Sequence, residues 1–205
     1  MLTVKHNNMT LRYWNHNVAY YPWIKEKVKN CHNILDVGCG DGQLVNYLAD
    51  GNKRIAGIDV DSDCINRAIN MKTDDKVSFS CCGFDDFSSE TVFDAIIFVA
   101  SVHHMDMEKA LVKARALLSS GGRIIIVGLG KPSTVSDYII EALRIIPSKV
   151  VSLWHHMSSS EKQNIPVDYH FPTMEEIRNI VKKELPGAKM RYALHYRYLL
   201  EWVSE

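Results

Sequence analysis

The chain has 205 residues, 46% hydrophobic and 23% charged, enough for one domain with a sizeable core. Its 24 Lys and Arg balance 24 Asp and Glu, which argues against the broad basic footprint of a nucleic-acid binder. No apolar run is long enough for a membrane span, and the N-terminus lacks a charged-then-apolar signal pattern.

Five cysteines without Cys-x-x-Cys spacing read as reduced thiols of a cytoplasmic protein. A local basic patch around Lys182, Lys183, Arg191 and Arg197 competes with a solvated helix face for the first two.

In chain order, residues 15 to 29 predict a helix, with Val18, Ile24 and Val28 among polar positions. Ile34 to Val37 predicts a buried strand, and Gln43 to Ala49 a helix opened by a glycine loop. Arg54 to Ile58 is a second strand ended by Asp59, and Asp61-Ser62-Asp63 caps the next helix. Val77 to Cys81 and Phe93 to Val99 are the third and fourth strands. Met107 to Leu118 has a helical apolar face, stopped by Gly121-Gly122, and Arg123 to Val127 is the fifth strand. Residues 131 to 170 form a long insertion carrying Tyr138, Leu143, Ile146 and Trp154. It fits a lid over a substrate, a dimer surface or an interfacial helix. Thr173-x-x-Glu176 is a capping box for a helix to about Glu184, and Leu185-Pro186-Gly187 ends it. Lys189 to Ala193 and Arg197 to Val203 read as a closing pair of strands.

Five alternations of strand and helix predict an α/β domain with a parallel sheet covered on both faces. Ligands of such sheets bind beyond the carboxyl ends of the strands. Asp36, Asp59, residues 82 to 86 and Ala100 to His104 all fall there. Gly38, Gly40 and Gly42 follow Asp36 at alternate positions, where the missing Cβ lets a ligand lie against the backbone. An acidic residue about 20 positions on is the usual partner of a ribose, which singles out Asp59. A dinucleotide fingerprint needs a glycine where the chain has Gln43. Asp36 and Asp41 are poor neighbours for a pyrophosphate but suit a cationic or aminated ligand.

The run Ile34-Leu35-Asp36-Val37-Gly38-Cys39-Gly40-Asp41-Gly42 resembles the first motif of the class I S-adenosylmethionine-dependent methyltransferases, and the likeness extends over nearly the whole chain, on the small-molecule side of that superfamily. It implies a Rossmann-like seven-stranded sheet, mostly parallel with an antiparallel last strand. A single domain over residues 1 to 205 would include an N-terminal cap segment (1 to 30) and a lid insertion (131 to 170).

The implied function is transfer of a methyl group from S-adenosyl-L-methionine to a small-molecule acceptor by in-line displacement, leaving S-adenosyl-L-homocysteine. The implied cofactor site is Asp36, Gly38, Cys39, Gly40, Asp41, Gly42, Leu44, Asp59, Val60, Gly83, Phe84, Asp85, Ala100 and Ser101. Asp59 takes the ribose, Val60 the adenine, and the glycines the methionine end. The family's usual aspartate after the third strand falls on Gly83 here, so adenine recognition shifts to Asp85 or to the backbone of Phe84.

His103, His104 and His16 are candidate bases; a histidine packing the crevice floor is the competing account for the first two, and aromatic packing of the first helix for His16. Tyr20 is a further residue placed to touch the acceptor. No metal ligand spacing is evident, and Asn/Asp-Pro-Pro-Tyr is absent after the fourth strand. A monomer or homodimer is expected. The competing functions are a non-catalytic cofactor-binding module and a nicotinamide oxidoreductase, the latter disfavoured by Gln43 and by the lack of a Tyr-x-x-x-Lys pair.

Overall fold

Each of the five apolar runs between Ile34 and Val127 becomes a strand of one sheet in the computed structural model, which describes residues 16–134, 171–194 and 197–205, with the backbone of 5–6 and 9–10. The strands are β1 (Asn33–Val37), β2 (Arg54–Asp59), β3 (Val77–Cys81), β4 (Phe93–Val99), β5 (Leu118–Leu129), β6 (Lys189–Tyr192) and β7 (Arg197–Val203). Their spatial order is β3-β2-β1-β4-β5-β7-β6. The first five run parallel, and β7 is antiparallel to both β5 and β6. The order reverses at β1 and β4, which places a ligand crevice beyond their carboxyl ends.

The helices are α1 (Tyr21–Lys27), α2 (Gln43–Leu48), α3 (Ser62–Asn70), α4 (Met107–Leu117) and α5 (Met174–Glu184). Alternation along the central strands feeds two cores. Ile96, Phe98, Ile124 and Ile126 pack with Leu111 of α4 and Ile177 of α5 on one face. Ala95, Ile97, Ile125 and Val127 pack with Ile24 of α1, Val45 of α2 and Ile65 of α3 on the other. A sheet apolar on both sides needs such a double cover.

Local chemistry explains the element ends. The Asp61 side chain accepts from the backbone N–H groups of Asp63 and Cys64, capping α3. Thr173 and Glu176 form the reciprocal capping box of α5. Three boundaries depart from the sequence expectation. The helix expected over 15 to 29 starts as a 3-10 turn at Val18–Tyr20 and becomes α-helical at Tyr21. Pro22 in the first turn sets that point, because it lacks an N–H and is tolerated only there. Helix α4 ends at Leu117, because Leu118 turns extended and pairs with Phe93. Strand β5 therefore starts before the glycine pair, and its register shifts between Phe93 and Ala95. Lys5–His6 and Met9–Thr10 form a short antiparallel ladder that the sequence did not suggest. Most of the 131 to 170 insertion, from 135 onward, lies outside the described residues, as does Tyr13-Trp14-Asn15. Among the described residues no helix is long and apolar enough to cross a membrane.

Candidate active site

The site begins where β1 and β2 end. The N–H groups of Gly38 and Cys39 both donate to the Ile58 carbonyl, at 2.8 and 3.0 Å, so the glycine loop folds over the end of β2. Asp59 then ties the two together. Its Oδ2 accepts from the Gly40 N–H at 2.8 Å and its Oδ1 from the Asp61 N–H at 2.9 Å. A half-buried carboxylate is thus held rigidly in the crevice beside the loop.

The three glycines have different reasons to be glycine, although all have positive φ. A Cβ on Gly38 would lie 2.4 Å from the Ser101 Cβ, and one on Gly42 would lie 2.5 Å from the Phe79 ring. A Cβ on Gly40 would meet nothing within 4 Å. Packing therefore dictates two of them, whereas Gly40 faces open space.

Asp36 closes the floor. It is almost fully buried, and among the described residues its Oδ1 has no hydrogen-bond partner. Burial, reinforced by the charge of Asp59, pushes its pKa up to about 7. A buried carboxylate without a partner is costly, and a cation or amino group brought to it removes that cost. Asp41 is also buried at the loop. These features fit the amino, sulfonium and ribose groups of S-adenosylmethionine. Asp36 and the glycine loop would hold the methionine end, and Asp59 the ribose.

Further along the edge, Val60 is 76% exposed directly after Asp59. A Cβ on Gly83 would come within 3.7 Å of it, so Val60 and Gly83 share one wall, on the side expected for adenine. The Phe84 side chain is buried edge-on against Phe98, ring centroids 5.6 Å apart, so its backbone is the part that faces this region. Asp85 is exposed, and its carbonyl accepts from Lys113 Nζ.

Four expected cofactor residues occupy supporting positions. Leu44, in the first turn of α2, is buried in the core. The Cys39 thiol donates to the Gly40 carbonyl, and burial with Asp36 and Asp59 nearby pushes its pKa upward, so it stays a thiol. The Ser101 hydroxyl donates to the Val37 carbonyl at 2.5 Å and pins the loop to the end of β4. Ala100 has φ of +53°, a left-handed conformation unusual for a residue with a Cβ. Its N–H donates to the Val127 carbonyl, so the sheet itself holds the strained turn that presents Val102–His104.

Of the three candidate bases, His103 is the half-buried one and His104 is exposed. The His103 ring lies between His104, at 4.0 Å, and Phe171, at 4.9 Å. Among the described residues its buried Nδ1 has no hydrogen-bond partner. Burial, with His104 and Arg197 nearby, lowers its pKa to about 4. His16 lies partly buried, and burial and Arg197 lower its pKa too.

Arg197 opens the closing strand as the sequence predicts, while of the basic patch it could share with Lys182, Lys183 and Arg191, two members have other partners. Lys183 pairs with Glu108 and Glu184, and Arg191 lies over the Trp23 ring. Arg197 instead donates from Nε and Nη2 to Asn17 Oδ1, at 3.1 and 2.8 Å. Its position was recoverable in principle, because a strand antiparallel to the others starts at the edge where they end. Tyr20 joins the same corner through its hydroxyl, which donates to the Leu194 carbonyl at 3.0 Å.

Residues 35–126 match a family profile described as a methyltransferase domain. An uncharacterised methyltransferase of Mycobacterium tuberculosis is 27% identical over 201 residues, covering 92% of this chain and 96% of that protein. The ubiquinone biosynthesis O-methyltransferase of Bordetella avium is 24% identical, covering 77% of this chain and 74% of that protein. The plantazolicin methyltransferase BpumL, solved with a monoazolic desmethylPZN analog and SAH, shares the fold. Its TM-score is 0.63 at 18% identity, covering 92% of this chain and 83% of that one.

The sheet order is that of the class I S-adenosylmethionine-dependent methyltransferase fold, and the profile match and the relatives point the same way. This chain is similar in nearly its whole length to the mycobacterial methyltransferase.

Proposed function

We propose that the chain methylates a small-molecule acceptor, with the cofactor held by Asp36, the Gly38–Gly42 loop and Asp59 and the acceptor held against His103. The observation that carries this reading is Asp36 Oδ1, buried and, among the described residues, without a hydrogen-bond partner, at the end of the strand that leads into the glycine loop. When bound, S-adenosylmethionine supplies an electrophilic methyl on a sulfonium leaving centre, suited to in-line displacement.

The chain's own contribution is positioning and exclusion of water, an effect that reaches roughly 7–11 kcal/mol. Asp36 holds the amino group, Asp59 takes ribose hydroxyls on its remaining lone pairs, and Val60 and Gly83 flank the adenine. His103 is uncharged at neutral pH because its pKa is lowered to about 4. Uncharged, it can accept a hydrogen bond from a hydroxyl acceptor and orient it, whereas a pKa this low makes it a weak base. We further assign residues 1 to 30 as a cap on the cofactor and 131 to 170 as a lid, in one cytoplasmic domain that acts as a monomer or homodimer.

Calorimetric titration with S-adenosylhomocysteine tests the cofactor assignment. Asp59→Ala removes charge-assisted hydrogen bonds and weakens binding about a hundredfold; equal affinity in the variant overturns the site. Product formation with phenol, thiol and amine acceptors, followed by mass spectrometry, tests the activity. Tight binding with no product from any acceptor favours a non-catalytic binding module instead.

A further inference from the structure

The turn after β3 carries a carboxylate that sequence spacing does not single out. This turn is held from three sides. The Cys82 N–H donates to the Asp59 carbonyl at 3.0 Å, which ties the turn to the end of β2. The N–H groups of Asp86 and Phe87 both donate to the Gly83 carbonyl, at 3.2 and 3.1 Å, and close it. From α4, Lys113 Nζ donates to the Asp85 carbonyl at 2.7 Å and lies 5.4 Å from the centre of the Phe84 ring. Because the chain folds back on Gly83, the Asp86 side chain returns to it. A Cβ on Gly83 would lie 3.5 Å from Asp86 Oδ2 and 3.7 Å from Val60 Cγ1, and no atom of Asp85 would come within 4 Å of it. Residue 83 has no side chain of its own, and Asp86 Oδ2 borders the space that one would enter, on the wall shared with the exposed Val60. Among the described residues the Asp86 carboxylate has neither a hydrogen bond nor an ion pair.

Resting on the cofactor reading above, we infer that Asp86 selects the base of the cofactor, accepting the exocyclic amine of adenine in place of a side chain at position 83. A carboxylate only accepts hydrogen bonds. It favours a purine with an amino group at the 6-position and repels one with a carbonyl oxygen there. Val60 supplies an apolar surface for the ring. The residue that makes good the missing side chain is then Asp86, and Asp85 contributes the backbone carbonyl that Lys113 grips.

Calorimetric titration with S-adenosyl-L-homocysteine and S-inosyl-L-homocysteine tests this, because the second compound carries a carbonyl oxygen where the first has its amine. The wild type is expected to bind the adenosyl compound about tenfold or more tightly, the scale of a charge-assisted contact. Asp86→Asn loses that preference, since an amide presents either an oxygen or an amino group. Adding Gly83→Asp restores it, because a Cβ at 83 meets only ordinary van der Waals contacts. Asp85→Asn keeps the wild-type preference. Asp85 and Asp86 are both exposed, so neither substitution disturbs the core. Equal binding of the two compounds by the wild type, a preference that survives Asp86→Asn, one that Asp85→Asn removes, or one that Gly83→Asp fails to restore overturns the role of Asp86. A wild type that binds neither compound overturns the cofactor reading itself.

Discussion

Asp36 carries an unusual burden for one side chain. It lies at the end of a central strand, where burial, with the charge of Asp59 in addition, raises its pKa to about 7. Its folded value thus exceeds the unfolded one. Protonated Asp36 favours the folded state below pH 4, and that contribution is lost as pH rises through 7. A cationic ligand reverses the preference, because it favours the ionised form and expels the proton. Cofactor affinity should therefore rise between pH 5 and 7, by up to about tenfold per unit if one proton is released. Asp36→Asn should flatten that dependence. Calorimetry in buffers of different ionisation enthalpy reads both the slope and the proton count, and a wild-type affinity independent of pH contradicts this account. Asp36 and Asp59 were legible in the sequence because local spacing around a glycine loop encodes them. The contact of Arg197 with Asn17 was not, since its partner lies 180 residues away in the chain and only the sheet brings them together.

The loop between β1 and α2 separates structural from functional glycines. Gly42→Ala must displace the Phe79 ring and Gly38→Ala must displace Ser101, in addition to straining a positive φ. Gly40→Ala meets open space and carries only the backbone penalty, of order 1–3 kcal/mol. Thermal denaturation should rank Gly40→Ala as the mildest of the three, whereas S-adenosylhomocysteine titration should find its binding lost. A Gly40→Ala protein that binds normally would show that the ligand does not lie on this loop. Other element features were readable in advance. The Thr173–Glu176 box and the Asp61 cap are local hydrogen-bond chemistry written in adjacent residues. The end of α4 was not readable, because Leu118 leaves the helix to pair with Phe93, and that pairing depends on the assembled sheet.

Across the whole molecule, the order β3-β2-β1-β4-β5-β7-β6 brings the glycine loop, Asp59, the strained Ala100 turn and the start of β7 to a single edge. Five buried apolar runs made the parallel part of that sheet legible, since each is too short for a membrane and too apolar for a surface. Its closure was legible only through likeness to known methyltransferases, because β6 and β7 alone are two ordinary amphipathic strands. The charge balance near zero conceals an uneven interior, with Asp36, Asp41 and Asp59 around the glycine loop and the charge of Arg197 felt by His16 and His103. A crystal structure of the protein with S-adenosylhomocysteine tests the central claim most directly. The account predicts ribose hydroxyls on Asp59, the amino group beside Asp36 and the sulfur facing His103. The ligand seated elsewhere, or turned with its amino group away from Asp36, would contradict it.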